Sequence, residues 1–326
     1  MKTEILKLLQ NSKESVSGQE ICNRFSVSRT AVWKVINQLK EEGYVIDAVQ
    51  NKGYRILSTP DILTEAEIKS RLNTEWAGST LSCLEETDST NTDCKKFAEQ
   101  GAKHGLLCTA DTQISGRGRR GRAWESPKGT SVSMTLLLRP EIKPNQAPQL
   151  TLVMALAVAR AISRISGETC SIKWPNDILM KDKKICGILT EMSAEMDYVH
   201  YVVIGCGINV NQDMIPEELE KIATSIKIET GKSYQRSELI AEILSNFEQL
   251  YQQFLIHADL SLFIEEYNRY LVNQGRRVRV LDPKAEFEGE ALGISPNGEL
   301  LVRTETGETV EVYAGEVSVR GIYGYV

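Results

Sequence analysis

The chain has 326 residues, of which 41% are hydrophobic and 25% are charged, and its formal net charge at pH 7 is −6. This length predicts roughly two to three domains, and the composition is ordinary for a protein that can fill a hydrophobic core. No apolar run reaches the roughly 20 residues that a membrane span needs, so we expect no membrane partner. The run from Leu150 to Ala159 comes nearest, and it is predicted to be a buried helix that ends before Gly167.

The N-terminal residues and the cysteines indicate a compartment. The first residues, Met1 to Leu6, lack the apolar stretch and the cleavage site of an export signal. The seven cysteines are scattered along the chain and form no C-x-x-C pair. Reduced thiols in a cytoplasmic protein are therefore the expected state.

Residues 1–60 carry the pattern of a winged helix-turn-helix. Ser17 and Glu20 have the spacing of a capping box, and a second helix is predicted to start at Arg29 under a Ser28 cap. An amphipathic helix precedes these two, and two strand-like runs within residues 44–57 flank a turn. Three helices and a hairpin in this order predict a winged DNA-binding domain.

The second helix of that motif is predicted to contact DNA. Its exposed face is polar and basic, which suits phosphates and base edges in a major groove. Residues 1–57 hold nine Lys and Arg against six Asp and Glu, whereas the whole chain is acidic. A protein-binding winged helix is the alternative, and the polar face disfavours it. The predicted DNA-binding residues are Ser28, Arg29, Thr30, Lys34 and Asn37 on the helix and Lys52 on the wing.

Residues 61–272 alternate helical and strand patterns, which predicts an α/β or α+β domain. Ser89, Thr90 and Asn91 follow a strand-like run and open a helical stretch. Ser89 is equally suited to capping that helix. As a binding cluster, the three side chains offer small donors and acceptors for a neutral polar group such as a urea or an amide.

The loop from Ser115 to Trp124 alternates glycine and arginine. Gly116, Gly118 and Gly121 are expected to take positive φ and to let backbone N–H groups approach a ligand. The arginines between them match carboxylate or phosphate. A basic patch for nucleic acid or targeting is the alternative. Because the loop joins two strands that are predicted to be buried, an anion site is favoured.

A second polar stretch, Lys173 to Asp177, precedes a predicted hairpin. The turn of that hairpin is placed at residues 181–184, and we expect it to bring Lys184 beside Asn176 and Asp177. A further apolar strand ends in Gly205 and Gly207, where glycines allow a ligand to come close. Residues 273–326 then alternate short strand patterns with turns, which predicts a small β barrel.

These motifs occur in the order seen in biotin protein ligases. The matching stretches are Asp88 to Asn91, Gln113, Gly116 to Trp124, Lys173 to Asp177, Lys184 to Gly187 and Gly207 to Val210. With the winged helix in front, the chain resembles the bacterial biotin ligases that also repress the biotin operon, and only Cys186 departs from the usual small residue. The resemblance implies an α+β multidomain chain with a winged helix-turn-helix at 1–60, a class II synthetase-like α/β domain at 61–272 and an SH3-like β barrel at 273–326.

The resemblance also implies roles for individual residues. The biotin-binding set is Ser89, Thr90, Asn91, Gln113, Arg117, Gly118, Arg119 and Lys184. The set for ATP and the adenylate is Arg119, Arg120, Arg122, Trp124, Asn176, Asp177 and Asn209. Lys184, Arg117 and Arg119 are the implied catalytic residues, because fixed cations stabilise the charge that develops in acyl and phosphoryl transfer.

The implied reaction has two steps. The biotin carboxylate attacks the α-phosphate of ATP to give biotinyl-5′-AMP and pyrophosphate, and a lysine of a biotin carboxyl carrier protein or carboxylase domain then takes the biotinyl group. Mg²⁺ is expected on the ATP phosphates without a dedicated protein site, with Asp177 in its outer shell. Operator DNA of the biotin operon and a homodimer are the other implied partners. Two alternatives remain open: a non-catalytic winged-helix sensor of a small acid, and a lipoate or octanoate ligase.

Overall fold

The computed structural model describes residues 1–49, 52–281, 286–313 and 318–321. The N-terminal unit consists of α1 (Lys2–Asn11), α2 (Gly18–Phe25), α3 (Arg29–Glu41), β1 (Val45–Val49) and β2 (Gly53–Ser58). The Ser17 and Ser28 hydroxyls cap α2 and α3 by accepting hydrogen bonds from the Glu20 and Ala31 amides, which is the serine half of the capping box predicted at Ser17. The predicted winged helix-turn-helix is confirmed. Gln50 and Asn51 in the predicted wing turn lie outside the described residues.

The central domain is built on one mixed sheet of seven strands in the order β3-β4-β5-β9-β8-β7-β6. Only the β3–β4 pair is parallel. The strands are β3 (Thr80–Thr87), β4 (Leu106–Gln113), β5 (Ser131–Leu138), β6 (Ser171–Lys173), β7 (Asp177–Met180), β8 (Lys183–Ala194) and β9 (Val199–Asn209). The helices are α4 (Glu65–Arg71), α5 (Thr90–Glu99), α6 (Gln149–Ser166), α7 (Ile226–Thr230), α8 (Arg236–His257) and α9 (Ile264–Tyr270).

Alternate side chains of the central strands fill two cores. Leu136 and Ile204 belong to the large core that holds α6 and α8, whereas Leu137 and Val203 face a smaller core with α5. Among the described residues, one segment, Pro144–Ser166, is long and apolar enough to cross a membrane by length and composition, and 67% of its most apolar window is buried inside the protein. The predicted buried helix is thus confirmed as a core element.

The C-terminal unit is an antiparallel sheet in the order β13-β12-β11-β10-β14. Its strands are β10 (Arg277–Leu281), β11 (Phe287–Ile294), β12 (Leu300–Thr304), β13 (Thr309–Val312) and β14 (Ser318–Gly321). The short strands predicted for residues 273–326 are therefore present. Closure of this sheet into a barrel stays a prediction.

The N-terminal unit docks on the central domain through two buried polar groups, which we call the seam. Glu67 of α4 is completely buried, and it accepts hydrogen bonds from Gln10 at 3.0 Å, from Ser237 at 3.0 Å, from Arg71 at 2.6 Å and from Tyr44.

The second part of the seam is centred on Arg236, which is 1% exposed. Its guanidinium reaches Asp61 at 3.0 Å, Asp111 at 2.5 Å and the Ser131 carbonyl at 3.1 Å. Asp61 lies in the connection after the wing, whereas Asp111 lies on β4. The seam therefore ties the connection, the sheet and α8 together.

Candidate functional site

A cavity of about 260 Å³ opens where β4, β7, β8 and β9 meet the loops that follow them. We call it the ligand cavity. All eight residues predicted to bind biotin line it, and so do five of the further residues predicted to bind the adenylate. Those lining residues are Ser89, Thr90, Asn91, Gln113, Arg117, Gly118, Arg119, Arg120, Arg122, Trp124, Asn176, Asp177 and Lys184.

The floor of the cavity is neutral and polar. Ser89 stands at the N-cap position of α5, but its side chain makes no capping hydrogen bond. The Thr90 amide and hydroxyl both donate to Gln113 Oε1, at 2.8 and 3.0 Å. The Asn91 amide donates to the Glu191 carboxylate, which Lys95 also contacts at 2.7 Å. Small donors and acceptors held in this way suit a neutral polar ligand group.

The Gly-Arg loop, residues 115–124, is a narrow hairpin. Gly118 N–H donates to the Arg122 carbonyl at 2.7 Å, and Trp124 N–H donates to the Gly116 carbonyl at 2.9 Å. The expected positive φ at Gly116 and Gly118 is wrong, because only Gly121 (71°) and Arg120 (59°) take it within the loop. Gly116 is needed for another reason, since a Cβ there would lie 2.4 Å from the Trp124 carbonyl oxygen.

Arg119 is the loop arginine that turns inward. Its guanidinium donates to Asn176 Oδ1 at 3.1 Å. Burial lowers the pKa of Arg119, and the nearby Arg120 and Arg122 lower it further, whereas Asp177 raises it. Arg117, Arg120 and Arg122 are exposed. An anionic ligand in the cavity would meet one half-buried guanidinium and three exposed ones.

Lys184 lies where the hairpin prediction placed it. Its Nζ is 2.7 Å from the Asp177 carboxylate and 5.5 Å from the centre of the Trp124 ring. The turn itself is shorter than predicted, because Lys181 and Asp182 both take positive φ and the strand resumes at Lys183. A two-residue turn of this kind follows the twist of the two strands.

The strand glycines make room for the indole of Trp124. A Cβ on Gly207 would lie 2.4 Å from that ring, and one on Gly187 would lie 3.3 Å from it. The indole N–H is buried and has no hydrogen-bond partner among the described residues. It is therefore a donor available to a ligand acceptor.

The cavity is strongly positive. Six cationic side chains and one carboxylate, Asp177, line it among the described residues. The cations are Arg117, Arg119, Arg120, Arg122, Lys173 and Lys184. Lys173 opens a polar stretch that the sequence singled out, but no role was predicted for Lys173 itself, which is 6% exposed. No group of three or more potential metal ligands occurs in the described part of the chain. The arrangement suits carboxylate and phosphate groups next to a neutral polar end.

Asn209 is the predicted site residue that the structure keeps out of the cavity lining. It is 8% exposed, and its amide donates to the Thr224 carbonyl at 3.0 Å and accepts from Gln212 at 3.1 Å. These bonds hold the segment after β9. Contact of Asn209 with the adenylate stays a prediction.

The outward face of α3 carries most of the residues predicted to bind DNA. Arg29, Thr30 and Lys34 are exposed, and so is Lys52 in the wing, whereas Asn37 is half-buried. Ser28 uses its hydroxyl to cap α3.

The sequence did not single out Trp33, whose indole is 58% exposed between Arg29 and Asn37 at helical spacing. The signal in the sequence was a tryptophan outside the helical spacing of Val32, Ile36 and Leu39, which form the buried side of α3.

Three known protein families match the three segments of the chain described above. Residues 83–209 match the biotin/lipoate A/B protein ligase family, residues 2–55 match an HTH domain, and residues 275–320 match the biotin protein ligase C terminal domain. A Bacillus subtilis (strain 168) protein described as a bifunctional ligase/repressor is 40% identical over 98% of both chains. Its counterpart in Escherichia coli (strain K12) is 29% identical over 97% of this chain and 96% of that one.

A solved structure matches about three quarters of the chain. The biotin protein ligase of Aquifex aeolicus in complex with biotin and ATP has a TM-score of 0.67 and 33% sequence identity, and the match covers 74% of this chain and 99% of that one.

Proposed function

The chain belongs to the family of bifunctional biotin ligases and repressors, and from this premise we propose how its residues carry the two activities. It is a biotin–protein ligase that uses ATP, and it is also a repressor with a DNA-binding domain. The observation that carries the ligase assignment is the ligand cavity, where a neutral polar floor meets six cationic side chains.

The cavity geometry supports one orientation of biotin. The urea ring fits the polar floor formed by Ser89, Thr90 and Gln113, and the carboxylate then extends toward Lys184 and Arg119. In that position the carboxylate and the α-phosphate of ATP are held together by cations. Positioning and charge stabilisation are what this attack requires, since the carboxylate is itself the nucleophile.

Mg²⁺ would enter with the ATP phosphates and neutralise part of their charge. Asp177 is the one carboxylate that lines the described part of the cavity, and its ion pair with Lys184 makes an outer-shell role more suitable than direct coordination. Asn176 and Arg119 then hold the phosphate side of the adenylate.

The lysine of the carrier protein is assigned a separate route into the site. A neighbouring cavity of about 700 Å³ shares Arg119 and Asn176 with the first and is bounded by the C-terminal unit at Asn297 and Glu299. This position supports a role for that unit in receiving the carrier protein. The proposal also includes an SH3-like barrel for the C-terminal unit and a class II synthetase-like fold for the central domain. It further includes a cytoplasmic location and a homodimer.

The repressor activity is assigned to α3 and the wing. Arg29, Lys34 and Lys52 suit DNA phosphates, whereas Thr30 and Asn37 suit base edges. A homodimer would present two such helices to a palindromic biotin operator.

Biotin-dependent exchange of pyrophosphate into ATP tests the ligase activity. We expect exchange with biotin and much less with lipoate or octanoate. Labelled biotin added with ATP to a lysate should then label a carboxylase or its carrier domain. No exchange with any acid would favour the non-catalytic sensor, and preference for lipoate would favour the lipoate ligase.

A further inference from the structure

One hydroxyl beneath the ligand cavity belongs to no motif in the sequence. Thr135 lies on β5 and its side chain is completely buried. Its Oγ1 is 2.8 Å from Thr90 Oγ1 and 2.7 Å from Asn91 Oδ1. Thr135 is not among the residues that line the cavity. Any effect of this hydroxyl on a ligand must therefore pass through Thr90 or Asn91.

The hydrogen-bond directions around Thr90 are fixed. A backbone N–H can only donate, so the Gln113 atom that faces the Thr90 amide at 2.8 Å is the acceptor Oε1. The Thr90 hydroxyl lies 3.0 Å from the same oxygen and donates its hydrogen to it. Having used that hydrogen, Thr90 Oγ1 can only accept from its other neighbours.

The orientation of the Asn91 side-chain amide is fixed by the partners of its Nδ2. Its Nδ2 donates to Glu191 at 2.8 Å and to the Leu189 carbonyl at 3.3 Å, and both partners are acceptors. Asn91 Oδ1 therefore accepts from Thr135, whose single hydroxyl hydrogen is shared between Asn91 Oδ1 and Thr90 Oγ1. Gly205 leaves space for this arrangement, because a Cβ there would lie 2.0 Å from Asn91 Oδ1. The Asn91 amide is thus engaged by the protein at both ends.

We propose that Thr135 is a positioning residue that holds Thr90 Oγ1 as the hydrogen-bond acceptor for a ligand N–H. Thr90 Oγ1 has two lone pairs, of which one faces Thr135 and the other is left for the cavity. The urea of biotin has N–H groups, whereas the dithiolane ring of lipoate has none. The inference rests on the proposed function, since it assigns part of biotin recognition.

The test compares steady-state adenylation by five variants with the wild-type chain. Thr135→Val deletes the hydroxyl at nearly constant volume, and Thr135→Ser keeps it. Thr90→Val and the double Thr90→Val/Thr135→Val variant complete a mutant cycle. Thr109→Val is the matched control, because Thr109 is also completely buried in the sheet but donates to a backbone carbonyl, that of Ser133, at 2.9 Å.

We expect Thr135→Val to raise KM for biotin about tenfold, the effect of losing one well-placed hydrogen bond, with kcat within about twofold of wild type. Thr135→Ser and Thr109→Val should keep the wild-type KM. The double variant should bind no worse than Thr90→Val alone, because Thr135 acts through Thr90.

An unchanged KM in Thr135→Val would overturn the proposal, and so would independent, multiplying effects of the two substitutions. If Thr135→Val does not fold, Thr135→Ala provides the same comparison with less bulk. Absence of biotin-dependent exchange in the wild-type chain is a different result, since it would refute the ligase function itself.

Discussion

The seam and the ligand cavity both bring charged side chains together, but the charges are balanced in the seam and unbalanced in the cavity. In the seam, the buried Glu67 accepts four hydrogen bonds, and the buried Arg236 lies between two carboxylates. In the cavity, six cationic side chains face one carboxylate among the described residues.

The difference distinguishes charged groups that stabilise the fold from charged groups that bind a ligand. A buried charge destabilises a fold unless it is paired, and a group whose hydrogen bonds are all made has nothing to offer a ligand. The seam therefore holds two domains together, and burial and Glu67 raise the pKa of Tyr44 there, which keeps its hydroxyl a donor. The cavity leaves positive charge to be matched by an anion. Three substitutions test this comparison, and a fourth tests the DNA-binding face.

The largest effect is expected in the cavity at Lys184. Lys184→Ala should lower the rate of biotinyl-5′-AMP formation by about 10²–10³, because a cation beside the reacting groups is lost. The melting temperature should change little, because loss of the pair with Asp177 is offset by weaker repulsion among the cations of the cavity. Exchange kinetics and thermal unfolding measure the two quantities.

Lys181→Ala is the control for that substitution. Lys181 lies in the same hairpin, is exposed, and pairs with Glu229 away from the cavity. A parallel fall in melting temperature and activity of Lys184→Ala would assign Lys184 to the fold instead.

The next largest effect is expected in the seam, where stability should fall and activity should change little. Glu67→Gln should destabilise the protein by about 3 kcal/mol, because four donors lose their charged acceptor. Adenylate formation at a temperature where the chain is folded should stay within about threefold. Chemical unfolding followed by exchange kinetics measures both.

Glu65→Gln on the same helix is the matched control, because Glu65 is exposed and its pair with Lys69 is worth about 0.5 kcal/mol or less. Loss of activity without loss of stability in Glu67→Gln would show that the seam acts on the chemistry.

A smaller effect is expected from the loop. Arg119→Ala should speed release of the adenylate about ten- to hundredfold, since a charge-assisted hydrogen bond is worth about 1.5–3 kcal/mol. A chase experiment with labelled adenylate measures the release rate, and Lys128→Ala, an exposed cation just past the loop, is the control. Equal release from wild type and Arg119→Ala would remove Arg119 from the adenylate site.

The smallest effect is expected on the DNA face. Trp33→Ala should weaken operator binding about fivefold, because an exposed indole among basic residues loses apolar contact with the groove. Leu57→Ala is the control, because Leu57 on β2 is as exposed as Trp33, at 58%, but does not lie on α3. A footprint titration that shows equal affinities for wild type and Trp33→Ala would leave the exposed indole without a role in DNA binding.

Local patterns were sufficient to predict most elements of the fold. Ser17 and Ser28 mark two helix starts, and alternation marks the five strands of the C-terminal unit, because caps and pleats are properties of neighbouring residues. The cavity residues were predicted largely by their resemblance to a family, and the structure brings most of them together.

The polar networks were not predictable in this way. Glu67 and Ser237 are 170 positions apart, and Thr135 is 44 positions from Asn91. Their pairing depends on how the sheet and α8 pack, which no local pattern contains. The prediction of positive φ in the loop failed for a related reason. Gly116 is required by the close approach of Trp124 and not by a positive φ.

The coupling of the two activities is predicted to depend on the Gly-Arg loop. Without ligand, the loop is expected to be mobile, and a bound adenylate should order it and favour a homodimer. DNA affinity should then rise with biotin and ATP and depend steeply on protein concentration.

A gel-shift titration on a biotin-operon fragment, with the chain free or loaded with biotinyl-5′-AMP, tests this account most directly. We predict that the loaded protein binds the operator at least about tenfold more tightly than the free protein, a common size for coupling between two sites. Equal binding by both forms, or no binding above that to random DNA, would contradict the repressor activity and leave the ligase alone.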